Sequence, residues 1–412
     1  MEKNKSFWQK LSSVGPGAIV TAAFIGPGTV TTCTLAGVNF KYALLWAMLF
    51  STIATIILQE MAARIGIVTN KGLGSAIRES FESNPSMKLA VVALVIAALG
   101  IGNSAFQSGN ISGASMGLQV IFGGAKQFWV VLISVTAGFL LWSGSYKLIE
   151  KVLLAIVIMM SIVFVATAIV ISPNWGEVFH GLFVPVVPAK ALLVTLGLIG
   201  TTVVPYNLYL HSSASAERWG KMDNKPEAIY ESRLDSILSI SLGGIISLAI
   251  IITSASMFGT GTTVKSAADM ARQLEPLLGP WAKWFFAIGL FGAGISSAIT
   301  APMAAAYAIT GVLGFKSDLK NSYFRTIWLI VLLAGAAVAF LGANPVQVIV
   351  FAQAVNGILL PISAILLLIV MNQKKIMFDF TNNTVSNILG TIVVLITVVL
   401  GLRMILVALK VI

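Results

Sequence analysis

Two prolines stand where membrane-length apolar stretches would otherwise run on as helix: Pro27 in I-G-P-G-T-V (residues 25–30) and Pro205 in V-V-P-Y-N (residues 203–207). Proline has no N–H and its ring clashes with the preceding turn, so each helix must open at that point. Open backbone groups at bilayer depth are tolerated only inside protein or facing a wet cavity. A pair of such breaks at corresponding places in two halves marks the binding site of a transporter. Around the first break, Gly26 and Gly28 remove side-chain bulk and let a ligand approach the backbone, with Thr29, Thr31, Thr32 and Thr34 following. The free N–H groups and positive dipole end of the second half-helix suit a carboxylate or another electron-rich group. The threonines further along read as helix-packing residues. Around the second break lie Thr201, Thr202, Pro205, Tyr206 and Asn207. Tyr206 can hydrogen-bond a solute or cover a cation with its ring, and it serves equally as a gate or a packing aromatic.

The elements that hold these groups are membrane helices. Of the 412 residues, 57% are hydrophobic and 10% charged, and the mean hydropathy is +0.94; a soluble domain carries about 25% charged residues. Eleven apolar runs are counted, near 15–38, 43–66, 89–122, 127–146, 150–172, 191–213, 236–258, 284–313, 325–342, 345–371 and 386–408. A spanning helix needs about 20 residues, so the chain reads as one polytopic domain over residues 1–412. The net charge of +11 is distributed by topology. With the N-terminus cytoplasmic, 18 of the 26 Lys and Arg fall on inside segments. That bias predicts N-in and, for an odd number of helices, C-out.

The one cysteine, Cys33, excludes an intrachain disulfide and a Cys-rich metal site. The charged start, Met1 to Leu11, precedes a full-length span and does not read as a cleavable signal peptide. The longest polar connections are 67–88, 173–190, 213–235 and 259–283. The segment 213–235 joins the two halves and reads as a solvated loop. No nucleophile–base set or nucleotide-binding loop is present, which argues against an enzyme.

A longer pattern surrounds the breaks. G-P-G-A-I-V-T-A-A-F-I-G-P-G-T-V (15–30), L-L-W (44–46), L-Q-E-M-A-A-R-I-G-I-V-T (58–69), L-G-S-A-I-R-E (73–79), G-T-T-V-V-P-Y-N-L-Y-L-H-S (200–212), A-G-I-S-S-A-I-T (293–300) and Q-A-V-N-G-I-L-L-P (353–361) resemble the helices of the NRAMP divalent-metal transporters. The resemblance implies an all-α integral membrane fold of the LeuT-like, amino acid–polyamine–organocation type, with about eleven helices. Two inverted five-helix repeats, about 15–172 and 191–371, would each begin with a broken helix, and an extra helix would follow at about 386–408.

The departures from the family pattern shape the functional expectation. The family holds its metal with an aspartate and an asparagine of the first helix and a methionine of the sixth. Here Gly26, Thr29 and Val204 stand at those places, and Tyr206 stands for the histidine after the sixth-helix proline. Gln107 and Asn110 align with an acidic pair implicated in proton transfer, and Ile295 with a glutamine of the eighth helix. His211 keeps the family's second histidine. A hard dication normally takes carboxylate oxygen, and softer metals take thioether or imidazole. None of these lies at the matching positions, so no metal ligand is assigned. The lining expected from the resemblance is neutral and polar: Gly26, Pro27, Gly28, Thr29, Gln107, Asn110, Thr201, Val204, Pro205, Tyr206, Asn207, Ser296, Gln353 and Asn356. His211 and Glu60 are the candidates for a proton path or gate.

The expectation drawn from this lining is a bacterial-type inner-membrane secondary transporter working by alternating access on a small organic solute, an amino acid or related amine. Its alternatives are a divalent-cation transporter (Mg or Mn) using carbonyls, hydroxyls and a partly hydrated ion, for which magnesium is the better suited because it keeps its waters, and a non-transporting sensor on the same fold. The expected partners are the small-molecule substrate, with or without a coupled proton, and membrane lipid. No cofactor and no nucleic acid are expected, and the expected state is a monomer.

Overall fold

The computed structural model describes residues 25–143, 147–315, 318, 320–342 and 344–410, with side chains for all of these except 147–154 and 408. Its helices of eight residues or more are α1 (Pro27–Phe40), α2 (Leu45–Thr69), α3 (Leu73–Ser80), α4 (Pro85–Phe122), α5 (Lys126–Ser143), α6 (Lys147–Val170), α7 (Trp175–Phe183), α8 (Leu192–Thr202), α9 (Pro205–Trp219), α10 (Lys225–Ser254), α11 (Ala282–Leu313), α12 (Ser322–Leu341), α13 (Pro345–Met371) and α14 (Thr384–Ala408). Among the described residues nine helical stretches are long and apolar enough to cross a membrane, α8 and α9 counting as one, and a tenth arises if α6 and α7, bent by 120°, are taken together. The expected first run, 15–38, is described only from Ile25 onward.

The helix starts follow local chemistry. Asn84, Asn224 and Asn344 each accept a backbone N–H from the first turn, and a proline occupies one of the first two helical positions behind each. An Asn cap satisfies a donor the helix cannot, and proline there loses no hydrogen bond. Within the spans, hydroxyls bond back to carbonyls one turn earlier, as Thr52 does to Met48 and Ser247 to Gly243. That leaves few polar atoms open toward lipid. Small residues set the close crossings: a Cβ on Gly200 would lie 2.0 Å from the Gln353 carbonyl oxygen, and one on Gly294 2.6 Å from Cβ of Ala114. Only glycine permits such backbone approach.

The polar connections are more ordered than the sequence suggests. The segment 213–235 is not a loop: α9 runs on to Trp219 and α10 begins at Lys225. The stretch 259–283 holds two short helices, Ala267–Ala271 and Glu275–Leu278, folded against the bundle with Met270, Ala271 and Leu274 buried. At one end of the bundle Glu60 bridges Arg64 (2.9 Å) and Arg233 (2.8 Å), tying α2 to α10. Toward the other end Lys41 pairs with Glu177 of α7. The hydrogen bond to that carboxylate raises the Lys41 pKa above the ordinary lysine value.

Candidate functional site

The first break is built by Gly26 and Pro27. Gly26 is extended (φ −112°, ψ −174°), and α1 starts at Pro27 with no side chain capping it. The Val30 N–H bonds the Gly26 carbonyl at 3.1 Å. The first helical N–H groups, those of Gly28 and Thr29, have no carbonyl of their own helix to meet. The pyrrolidine ring rests on α4, where a Cβ on Gly113 would lie 2.1 Å from Cβ of Pro27. The half-helix expected before Gly26 falls outside the described residues.

The second break spans two residues. α8 ends at Thr202, Val203 takes φ −90°, ψ 67°, Val204 is extended, and α9 starts at Pro205. In a continuous helix residue 205 would donate to the Thr201 carbonyl; Pro205 has no N–H to give. That carbonyl sits at the C-terminal, electronegative end of the α8 dipole. The Asn207 N–H turns back to the Val204 carbonyl at 3.0 Å.

Packing draws the two breaks and two further helices together. Thr29 and Thr201 share a hydroxyl hydrogen bond of 2.8 Å. On α4, Gln107 Nε2 donates to the Ala298 carbonyl (2.9 Å), and Asn110 Nδ2 donates to Gln107 Oε1 (3.3 Å) and to the Ser297 carbonyl (3.2 Å). With its amide hydrogens so used, Asn110 presents Oδ1 as a free acceptor. A Cβ on Gly26 would lie 2.8 Å from Ser297 Oγ and 4.0 Å from Asn110 Oδ1; one on Gly28 would lie 2.2 Å from Gln353 Nε2. The missing side chains of these two glycines therefore let Ser297, Asn110 and Gln353 close in on the first break.

Several polar atoms of the helices that meet at the breaks are buried and short of partners. Asn110 Oδ1, Tyr206 OH, both amide atoms of Asn207 and of Gln353, Ser297 Oγ and Asn356 Nδ2 lack a hydrogen-bond partner within the protein. Buried polar atoms are usually paired, and an unpaired one costs on the order of 1–3 kcal/mol. Of these atoms, those of Asn110, Ser297 and Gln353 lie against Gly26 and Gly28 at the first break. Among the described residues no group of three or more His, Cys, Asp or Glu side chains comes together. The donor set is thus neutral oxygen: amide, hydroxyl and backbone carbonyl.

Of the residues named from sequence, Gly26, Gly28, Thr29, Gln107, Asn110, Thr201 and Gln353 meet here. Pro27 and Pro205 shape the breaks without contributing donors. The Val204 side chain lies in the apolar core. Tyr206 sets its ring edge-on to Phe106 at 5.3 Å. Asn356 sits one turn beyond Gln353, its Oδ1 3.4 Å from where a Cβ on Gly102 would be. Ser296 is partly exposed, and its neighbour Ser297 is the serine that reaches Gly26. Helical phase carries the missed signal: Ser297 lies three residues after Gly294, which already faces α4. His211 bonds Gln59 of α2 (3.0 Å), and Glu60 belongs to the ionic cluster at the bundle's end.

The family model for natural resistance-associated macrophage protein-like chains (Nramp) matches residues 17–407. This chain belongs to the Nramp family. It is 31% identical to a divalent metal cation transporter MntH of Brucella suis over 97% of this chain and 89% of the relative. A divalent metal cation transporter MntH of Caldanaerobacter subterraneus is 28% identical, with 93% and 90% covered. Among solved structures, the manganese transporter of Eremococcus coleocola superposes with a TM-score of 0.78 at 24% identity, covering 98% of this chain and 88% of that one. MhsT, solved with L-phenylalanine, gives 0.59 at 16% identity, covering 96% and 98%, and shares the fold. The fold is therefore the all-helical LeuT-type transporter fold, and the family is one of multi-pass membrane transporters with bacterial members.

These relatives overturn the expected cargo. An amino acid or amine was inferred because the family's ligand side chains are missing, but relatives along the whole Nramp chain are divalent metal cation transporters. The main reading gave charged and soft side chains more weight than the carbonyls, hydroxyls and partly hydrated ion of its divalent-cation alternative, which these relatives favour. Backbone carbonyls, amide oxygens and waters carried with the ion are also ligands for a hard cation.

Proposed function

We propose that this Nramp protein moves a divalent metal cation by alternating access, and that the ion rests between the two breaks with part of its hydration shell. The observation that carries this is the set of unpartnered buried acceptors packed against Gly26 and Gly28 at the first break: Asn110 Oδ1, Ser297 Oγ and Gln353 Oε1. A coordinated water turns its hydrogens outward, so acceptors at one remove can hold a hydrated ion through water-mediated hydrogen bonds. The Thr201 carbonyl, freed by Pro205, is a candidate direct ligand at the negative end of α8. The absence of thioether and imidazole from this set favours hard ions, magnesium first and manganese second.

The same reading gives Gln107 and Asn110 the task of holding the acceptors in place. It places the N-terminus in the cytoplasm and the C-terminus outside, supported by the gathering of Arg64 and Arg233 around Glu60 at one end of the bundle. Two repeats, about 15–172 and 191–371, would supply one break each. The test is flux of Mg²⁺ and Mn²⁺ into liposomes carrying the full-length protein, read by an enclosed indicator dye. Saturable entry of either ion, lost in Asn110→Ala with Ser297→Ala, is expected. Folded protein that neither binds nor passes Mg²⁺, Mn²⁺ or Ca²⁺ overturns the reading.

A further inference from the structure

Between α10 and α11 the chain folds back onto the bundle end opposite Glu60. There Ser266 and Asp269 form a capping box that starts the short helix Ala267–Ala271, and the next turn carries Gln273. Gln273 is completely buried. Its Nε2 donates to Thr34 Oγ1 of α1 (2.8 Å) and to the Met270 carbonyl (2.8 Å), and its Oε1 accepts from Thr253 Oγ1 of α10 (3.0 Å). One side chain thus joins the folded-back segment, α1 and α10.

The elements it joins lie on two sides of the candidate site. The segment packs on α11 and α4, the helices that carry Ser297 and Asn110. α1 carries Thr29, and beneath Gln273 the Thr34 hydroxyl passes on to the Val30 carbonyl (2.7 Å), whose own N–H reaches Gly26. Beside Thr34, Ser254 of α10 donates to the Cys33 carbonyl (3.3 Å), and a Cβ on Gly37 would lie 2.0 Å from Ser254 Oγ. Any opening of the site toward this end must part α1 from the segment that rides on α4 and α11. Burying an amide is costly unless it is bonded, and here both its nitrogen and its oxygen are.

We propose that Gln273 is the positioning residue that latches this segment to α1 and α10, and that its bonds to Thr34 and Thr253 release whenever the site opens at this end. The inference needs only a transporter of this fold, not a particular cargo. The molecule carries its own reporter: Cys33, the one cysteine, is fully buried one residue from Thr34.

The experiment measures the reaction rate of Cys33 with a small water-soluble thiol reagent in full-length protein. Gln273→Ala is expected to raise the rate about tenfold, the change that loss of one buried hydrogen bond allows. Thr34→Val removes the α1 end of the latch together with the hydroxyl's bond to Val30, keeps the side-chain shape, and should raise the rate similarly. The double variant should add little to either single one. Glu60→Gln, which loosens the opposite end, should not raise the rate. A wild-type rate in folded Gln273→Ala or Thr34→Val, or an equal rise in Glu60→Gln, overturns the proposal. Because no metal enters the measurement, its failure is separate from failure of the cargo assignment.

Discussion

Replacing Pro205 by alanine tests whether the broken helix itself holds the cation. Alanine restores an N–H at the position that, in a continuous helix, donates to the Thr201 carbonyl. Val203 and Val204, now at φ −90°, ψ 67° and φ −74°, ψ 123°, would have to return to helical angles for the bond to close. One such bond contributes a net of about 1 kcal/mol, and about 2 kcal/mol if the Val204 N–H also closes on the Gly200 carbonyl. An ion that uses the Thr201 carbonyl must first reopen that turn, so its affinity falls by the same amount, about 5- to 30-fold. Calorimetric titration of Mg²⁺ and Mn²⁺ into the purified variant reads the loss directly, with thermal unfolding as the control. The melting temperature should hold or rise, because the newly closed bonds offset the unfolded-chain entropy that removing proline restores. An affinity unchanged within about twofold, in a variant whose break has closed, would remove the carbonyl from the ligand set.

Three further outcomes follow from the same geometry. Gly28→Ala puts a Cβ 2.2 Å from Gln353 Nε2 and should displace that amide, cutting divalent-ion flux about tenfold or more while the protein stays folded, as liposome uptake and size-exclusion elution would report. Gly26→Asp combined with Thr29→Asn and Val204→Met supplies the family's ligand types and should shift preference from Mg²⁺ toward Mn²⁺ in competitive titration; the shift is limited by Ser297 Oγ, 2.8 Å from the new Cβ, which must rotate away. Glu60→Gln removes a carboxylate held by Arg64 and Arg233 and should lower stability by about 2 kcal/mol, seen as a lower midpoint in thermal unfolding without loss of ion affinity.

The sequence alone determined what depends on single residues and their near neighbours. Hydropathy places the spans because lipid cannot solvate a backbone, and Pro27 and Pro205 place the breaks because proline lacks an N–H. The long motifs around them carry the family. Polar connections were less legible, since charge along 213–235 and 259–283 is compatible equally with a loop and with the exposed face of a helix. Only tertiary packing decided what meets at the breaks. Thr29 pairs with Thr201 across 172 positions and Asn110 with Ser297 across 187, distances over which no local pattern operates. Packing also decided that Ser297 rather than Ser296 meets Gly26, through the rotation of α11 against α4. The cargo was misread from sequence for a related reason: a letter code shows lost carboxylates and thioethers at once, whereas which backbone carbonyls and amide oxygens stay unpartnered is fixed only by packing, so the divalent-cation alternative was given too little weight.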